Sequence, residues 1–135
     1  MKSSSLSDFL DPEAVNRLRN PDLNRAKGLP ASIYTDPDFF ALEQERLFPN
    51  VWVGIGFESD VPNVGDAVPV EVGGSPLILC RDKSSQIQVL HNVCRHRATV
   101  VLEERACGLK TFKCPYHGWV YGLDGTLLAT PFWDG

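Results

Sequence analysis

The chain is poor in several things that would have announced a function. It has three histidines, one methionine and four cysteines among 135 residues, and its thirteen Lys and Arg against seventeen Asp and Glu leave a net charge of −4. That balance gives no electrostatic footprint for nucleic acid. No apolar run approaches the roughly 18 residues of a membrane span, and the opening MKSSSLSDFLDPE lacks the apolar core of a secretion signal. A soluble, cytoplasmic protein is therefore expected, and four cysteines in that setting argue for free thiols over a disulfide framework. The length suits one ordinary domain and hardly two, and a hydrophobic content of 43% is that of a globular protein.

Two of the four cysteines sit beside two of the three histidines. Cys94 with His96 and Cys114 with His117 form short clusters separated by the seventeen residues from Arg97 to Lys113. A thiolate and an imidazole from each could close a tetrahedral zinc site, or could hold a [2Fe-2S] cluster with cysteines on one iron and histidines on the other. Zinc asks little of the residues around its donors. Negatively charged cluster sulfurs ask more, because backbone amides must point at them, and Pro115 and Gly118 favour a tight loop in which amides turn inward. Cys80 ends the run Leu77 to Leu79 and reads as a small buried hydrophobe, while Cys107, before Gly108, reads as a turn residue. His91 reads as a packing or hydrogen-bonding strand residue rather than a ligand.

Asp11, Pro12 and Glu13 predict a helix start: a capping side chain, a proline at the first helical position and an acid near the positive end, with Pro21 as the stop. Ser3 to Ser5 read as unstructured. A second start at Thr35, Asp36 and Pro37 opens PDFFALEQERLF, ending before Pro49, with an apolar stripe of Phe39, Phe40, Leu42, Leu47 and Phe48. Residues 1–35 are expected to be an N-terminal arm, packed on another part of a larger protein or disordered, and 36–135 the domain proper. From Val51 the period becomes extended. VWVGIGF, AVPVEV, GSPLILC, QIQVLHNV, TVVLEE, LKTFK, WVYGL and TLLAT read as strands, and Asp124 with Gly125 as a two-residue type I′ hairpin. The expected fold is all-β with a short helical arm, an antiparallel sandwich or partial barrel whose two ligand loops lie at the tips of neighbouring hairpins.

The sequence CRHR followed by CPYHGW resembles the Rieske iron-sulfur family. The block IYTDPDFFALEQERLFPNVWVGIG is similar to the N-terminal segment of the α subunit of Rieske non-heme iron oxygenases, the aromatic ring-hydroxylating dioxygenases. The resemblance implies a Rieske-type fold and a [2Fe-2S] cluster with Cys94 and Cys114 on the inner iron and His96 and His117 on the outer one. High-potential members carry one further cysteine in each loop, joined as a disulfide, and a serine after the second HG. Here those places hold Thr99, Tyr116 and Trp119, while Tyr121 is kept. Fewer hydroxyl donors stabilise the reduced centre less, which places the potential toward the low end of a range of about −150 to +300 mV. Ala98 stands where the family usually has glycine.

In the intact α subunits that the chain resembles, a ferredoxin or reductase delivers electrons to the cluster. The electrons then reach a non-heme Fe(II), held by two His and one carboxylate in a separate catalytic domain, for O2-dependent hydroxylation. With only His91 unassigned, that iron site is not expected here, and the chain reads as the electron-transfer domain alone, a fragment or a short homologue. A free-standing Rieske ferredoxin is the alternative reading, and a zinc-stabilised module the third. The imidazole edges of His96 and His117 are expected at the surface as the electron's exit, their N–H groups coupling reduction to proton uptake at alkaline pH. Arg95 and Arg97 read either as docking groups for an acidic partner or as solvated charges that support the loop.

Overall fold

A computed structural model describes residues 5–132, so Ser3 and Ser4 of the stretch expected to be unstructured lie outside the described residues. The chain forms two compact units, Met1–Trp52 and Val53–Gly135. The sequence reading had set its boundary earlier, between residues 35 and 36.

In the first unit, helix starts fall where the caps predict them. Asp11 Oδ1 accepts from the Ala14 N–H at 2.6 Å at the head of α1, Pro12–Leu18. Asp36 Oδ1 accepts from the Asp38 and Phe39 N–H groups at 2.9 and 3.1 Å at the head of α2, Pro37–Arg46. Each cap satisfies donors that a first helical turn leaves without partners. Leu10, Ala14, Ile33 and Phe39 make a small core, with the Phe9 ring edge-on to Phe39 at 5.2 Å. The apolar stripe of α2 is narrower than expected: Phe39 and Leu42 are buried, whereas Phe40 and Leu47 are exposed.

The second unit holds two three-stranded antiparallel sheets. The first orders β1 (Ala67–Val72), β2 (Ser75–Arg81) and β3 (Ile87–His91), and the second β4 (Phe112–Lys113), β5 (Val120–Tyr121) and β6 (Leu127–Ala129). In the register of the first sheet Ala67 lies opposite Cys80 and Leu79 opposite Val89. Gly73 and Gly74, with φ of 56° and 73°, make the β1–β2 connection, and two positive φ angles are what a two-residue type I′ turn requires. The β5–β6 connection, expected to be of that kind, is a three-residue loop instead. Gly122 N–H donates to Thr126 O, Gly125 N–H donates to Gly122 O, and only Gly125 takes a positive φ, 84°. That is a type I turn with a glycine bulge.

Two expected strands are absent among the described residues. VWVGIGF runs on without regular pairing until the 3₁₀ turn Glu58–Asp60, and TVVLEE is irregular. Pattern identifies a segment fit to pair, but a strand exists only where a neighbour offers its backbone. The core of this unit gathers Ala67, Ile78, Cys80, Phe112, Tyr121 and Leu123 around Cys94 and Cys114. Cys80 is fully buried, as expected, with its thiol 3.4 Å from Leu123 O; burial and the nearby Asp82 charge push its pKa up to about 11. Among the described residues, no helix is long and apolar enough to cross a membrane.

Candidate metal centre

The two ligand loops share one backbone design although their sequences differ. In the first, Cys94 N–H donates to Thr99 O at 2.8 Å and Ala98 N–H to Cys94 O at 2.9 Å. In the second, Cys114 N–H donates to Trp119 O at 2.8 Å and Gly118 N–H to Cys114 O at 3.0 Å. The fourth residue after each cysteine is left-handed, Ala98 at φ 55° and Gly118 at φ 74°. The loops thus superpose as motifs, with the histidine at the second position after the cysteine in one and at the third in the other.

An alanine at a left-handed position carries strain of about 1–2 kcal/mol, partly offset because glycine loosens the unfolded chain by about 0.4–1 kcal/mol. Ala98→Gly should therefore raise stability by roughly 1 kcal/mol in chemical denaturation, and a loss of stability would show that the turn does not adopt this form.

The loops bring their histidines together. The His96 and His117 rings lie 4.6 Å apart between centroids, inclined at 64°. Trp119 stacks on His96 at 4.9 Å and 7°, and Tyr116 packs on His117 at 3.8 Å. Both imidazoles are half-buried, less exposed than an electron's exit was expected to be. Cys94 and Cys114 are 1% and 2% exposed.

Hydrogen bonding prepares the cysteine side for negative charge. Tyr121 Oη lies 3.2 Å from Cys94 Sγ and accepts the Arg95 N–H at 3.1 Å, which leaves its own proton for the sulfur. Burial, with the Cys94 contact, holds the Tyr121 hydroxyl above its ordinary pKa, so it stays a donor. Burial raises the Cys94 thiol, but Tyr121, the His96 backbone, Cys114 and the Arg97 backbone together outweigh it, and the net shift is downward, toward thiolate. His96 is also lowered, by desolvation first and then by the His117 and Arg97 charges, which favours the neutral imidazole that a metal requires.

One atom stands out on the histidine side. His117 Nδ1 is buried and has no hydrogen-bond partner. A buried polar atom without a partner costs about 1–3 kcal/mol, and a bare ring nitrogen is what a metal bond would satisfy. A donor set of two buried thiols, that of Cys94 biased toward ionisation, and two imidazoles fits a [2Fe-2S] group of mixed ligation.

Cys107 is exposed in its turn and His91 ends β3 exposed. What the sequence reading missed is Asn92. It is 2% exposed, two residues before Cys94, and its side chain bonds three backbone groups of Val101 and Leu102. An amide at a strand's end, just ahead of a ligand loop, was the available signal, since such side chains imitate backbone partners.

Comparison with known proteins bears on the same residues. The profile of the Rieske [2Fe-2S] domain matches residues 51–134. The biphenyl dioxygenase α subunit of Paraburkholderia xenovorans is 38% identical over 122 residues, covering 90% of this chain and 26% of that protein. The oxygenase subunit of glycine betaine monooxygenase from Chromohalobacter salexigens is 36% identical, covering 87% of this chain and 27% of that protein. The crystal structure of naphthalene 1,2-dioxygenase from Rhodococcus sp. bound to indole aligns with a TM-score of 0.72 at 33% identity, over 92% of this chain and 28% of that one. The chain therefore spans about a quarter of the length of these relatives.

Proposed function

The chain belongs to the Rieske [2Fe-2S] domain family, and on that footing we propose that it passes single electrons through a cluster held by Cys94, Cys114, His96 and His117. The observation that supports this ligand set most is the bare, buried Nδ1 of His117 beside the His96 ring. The cluster would supply a one-electron couple. The chain's own residues supply the rest: Tyr121 donates to the Cys94 sulfur, the His96 and Arg97 backbone faces it, and the core around both cysteines excludes water.

In this reading residues 36–135 contain the electron-transfer domain of an oxygenase α subunit, and a ferredoxin or reductase is the donor. The acceptor is a mononuclear iron that serves O2-dependent hydroxylation. Biphenyl and glycine betaine have little chemistry in common, yet the subunits named for them are 38% and 36% identical to this chain. Likeness over this segment thus follows the electron-handling site and not the substrate. Arg95 and Arg97 flank His96 and give the loop a cationic rim suited to an acidic redox partner.

The purified protein should contain two irons and two acid-labile sulfides per chain and, once reduced, give a rhombic paramagnetic signal averaging below the free-electron g value. One zinc and no sulfide would refute the assignment.

Tyr121→Phe should lower the midpoint potential. A hydrogen bond to a charged group is worth about 1.5–3 kcal/mol, and only the part that grows on reduction counts, so a drop of roughly 60 mV is expected, the one-electron equivalent of a tenfold change. An unmoved potential in a redox titration would mean that the hydroxyl does not serve the sulfur.

A further inference from the structure

We infer that Asn92 is the positioning residue of the first ligand loop, its side-chain amide doing for Cys94 and His96 what Pro115 and Gly118 do for Cys114 and His117. The inference rests on the ligand assignment above.

The two loops make the same backbone hydrogen bonds from unequal material. In the second, Pro115 presets φ and Gly118 takes the left-handed position without a side-chain penalty. The first has Arg95 and Ala98 in the corresponding places, so its own sequence biases it less toward the turn. Something outside the turn must hold it.

Asn92 is placed to do so. Its backbone N–H donates to Pro76 O at 2.9 Å, which carries the β2–β3 ladder one residue further and anchors the side chain to the sheet. Its Oδ1 accepts from the Val101 and Leu102 N–H groups at 3.0 and 2.9 Å, and its Nδ2 donates to Leu102 O at 2.7 Å. A carboxamide presents a donor and an acceptor as a peptide does, so Asn92 acts as a one-residue strand for a segment that finds no strand beside it. These bonds close the chain from residue 92 to residue 102 into a ring that contains both Cys94 and His96. Burial strengthens them, and leaving the Val101 and Leu102 groups unsatisfied would open the loop at its base.

Three arms test this. In the unaltered protein, the Val101 and Leu102 amides should exchange with deuterium as slowly as those of the β2–β3 ladder; exchange at the rate of an open loop would overturn the inference without any variant. The wild-type iron and sulfide content reports separately on the ligand assignment. In the loaded protein, Asn92→Ala should shorten the half-life of the bound cluster in chelator by roughly ten- to a hundredfold, the usual effect of losing an outer-sphere support. Asn92→Asp, which keeps the acceptor and loses the donor, should fall between and remains readable if Asn92→Ala fails to fold. Adding Ala98→Gly to either variant should recover part of the loss, because glycine restores the bias that the first loop lacks. Leu79→Ala is the control: Leu79 is buried in β2 outside the core that holds the cysteines, so it should lower thermal stability and leave the chelator half-life within about twofold. A half-life in Asn92→Asp equal to wild type, no rescue by Ala98→Gly, or an equal loss in Leu79→Ala would each refute a positioning role.

Discussion

Replacing His117 with alanine should cost the protein its cluster, with iron content falling by more than about tenfold, a loss at least as large as that of an outer-sphere support. The reason is specific to its position. His117 Nδ1 is buried without a partner, Tyr116 fixes one face of the ring at 3.8 Å, and His96 stands 4.6 Å away. Where a bound metal adds to folding stability, losing it also lowers the melting temperature of the loaded protein. The metal-free protein should respond differently, because there the substitution removes an unsatisfied polar atom, and its melting temperature should move little. Optical spectra and metal analysis on both forms decide the matter. A His117→Ala variant that kept its absorption and iron would take His117 out of the ligand set.

Gly65→Ala should be the most damaging change outside the loops. Gly65 has a φ of 86°, and its N–H and C=O are both used, toward Arg81 O and from Leu109 N at 2.9 Å each. A methyl group there would lie 2.6 Å from Leu109 N and 2.8 Å from Gly108 C, both backbone atoms that no side-chain rotation can move. The left-handed conformation costs alanine about 1–2 kcal/mol and forced overpacking about 1–3 kcal/mol. Together they predict a loss of roughly 2–5 kcal/mol, enough to lower the melting temperature of a unit this size by about 10 °C or more. A shift of only a degree or two would mean that the 105–109 segment does not cross Gly65 this closely.

How far the fold could be read in advance followed how local each signal was. Asp11 and Asp36 cap their helices because a cap involves four consecutive residues. The three strands of the first sheet were legible because β1 and β2 meet through a two-glycine turn and β3 alternates exposed with half-buried positions. VWVGIGF and TVVLEE have strand-like patterns, but whether a partner runs beside them is decided by the rest of the chain. For Val101 and Leu102 the partner proved to be one asparagine side chain. The Asp124–Gly125 hairpin was misread because hydrogen bonds from Gly122 to Thr126, and not residue identity, set the loop at three residues. That His96 and His117 lie side by side agrees with the pairing of the two loops expected from donor type and spacing, whereas the Trp119 stack on His96 depends on how the chain leaves the second loop.

The most direct test of the mixed ligation is nitrogen ENDOR on the reduced protein labelled with ¹⁵N-histidine. Two inequivalent histidine nitrogens coupled to the electron spin are predicted, both lost together with the cluster when His117 is changed. A spectrum with no histidine nitrogen, as sulfur-only ligation would give, contradicts the account.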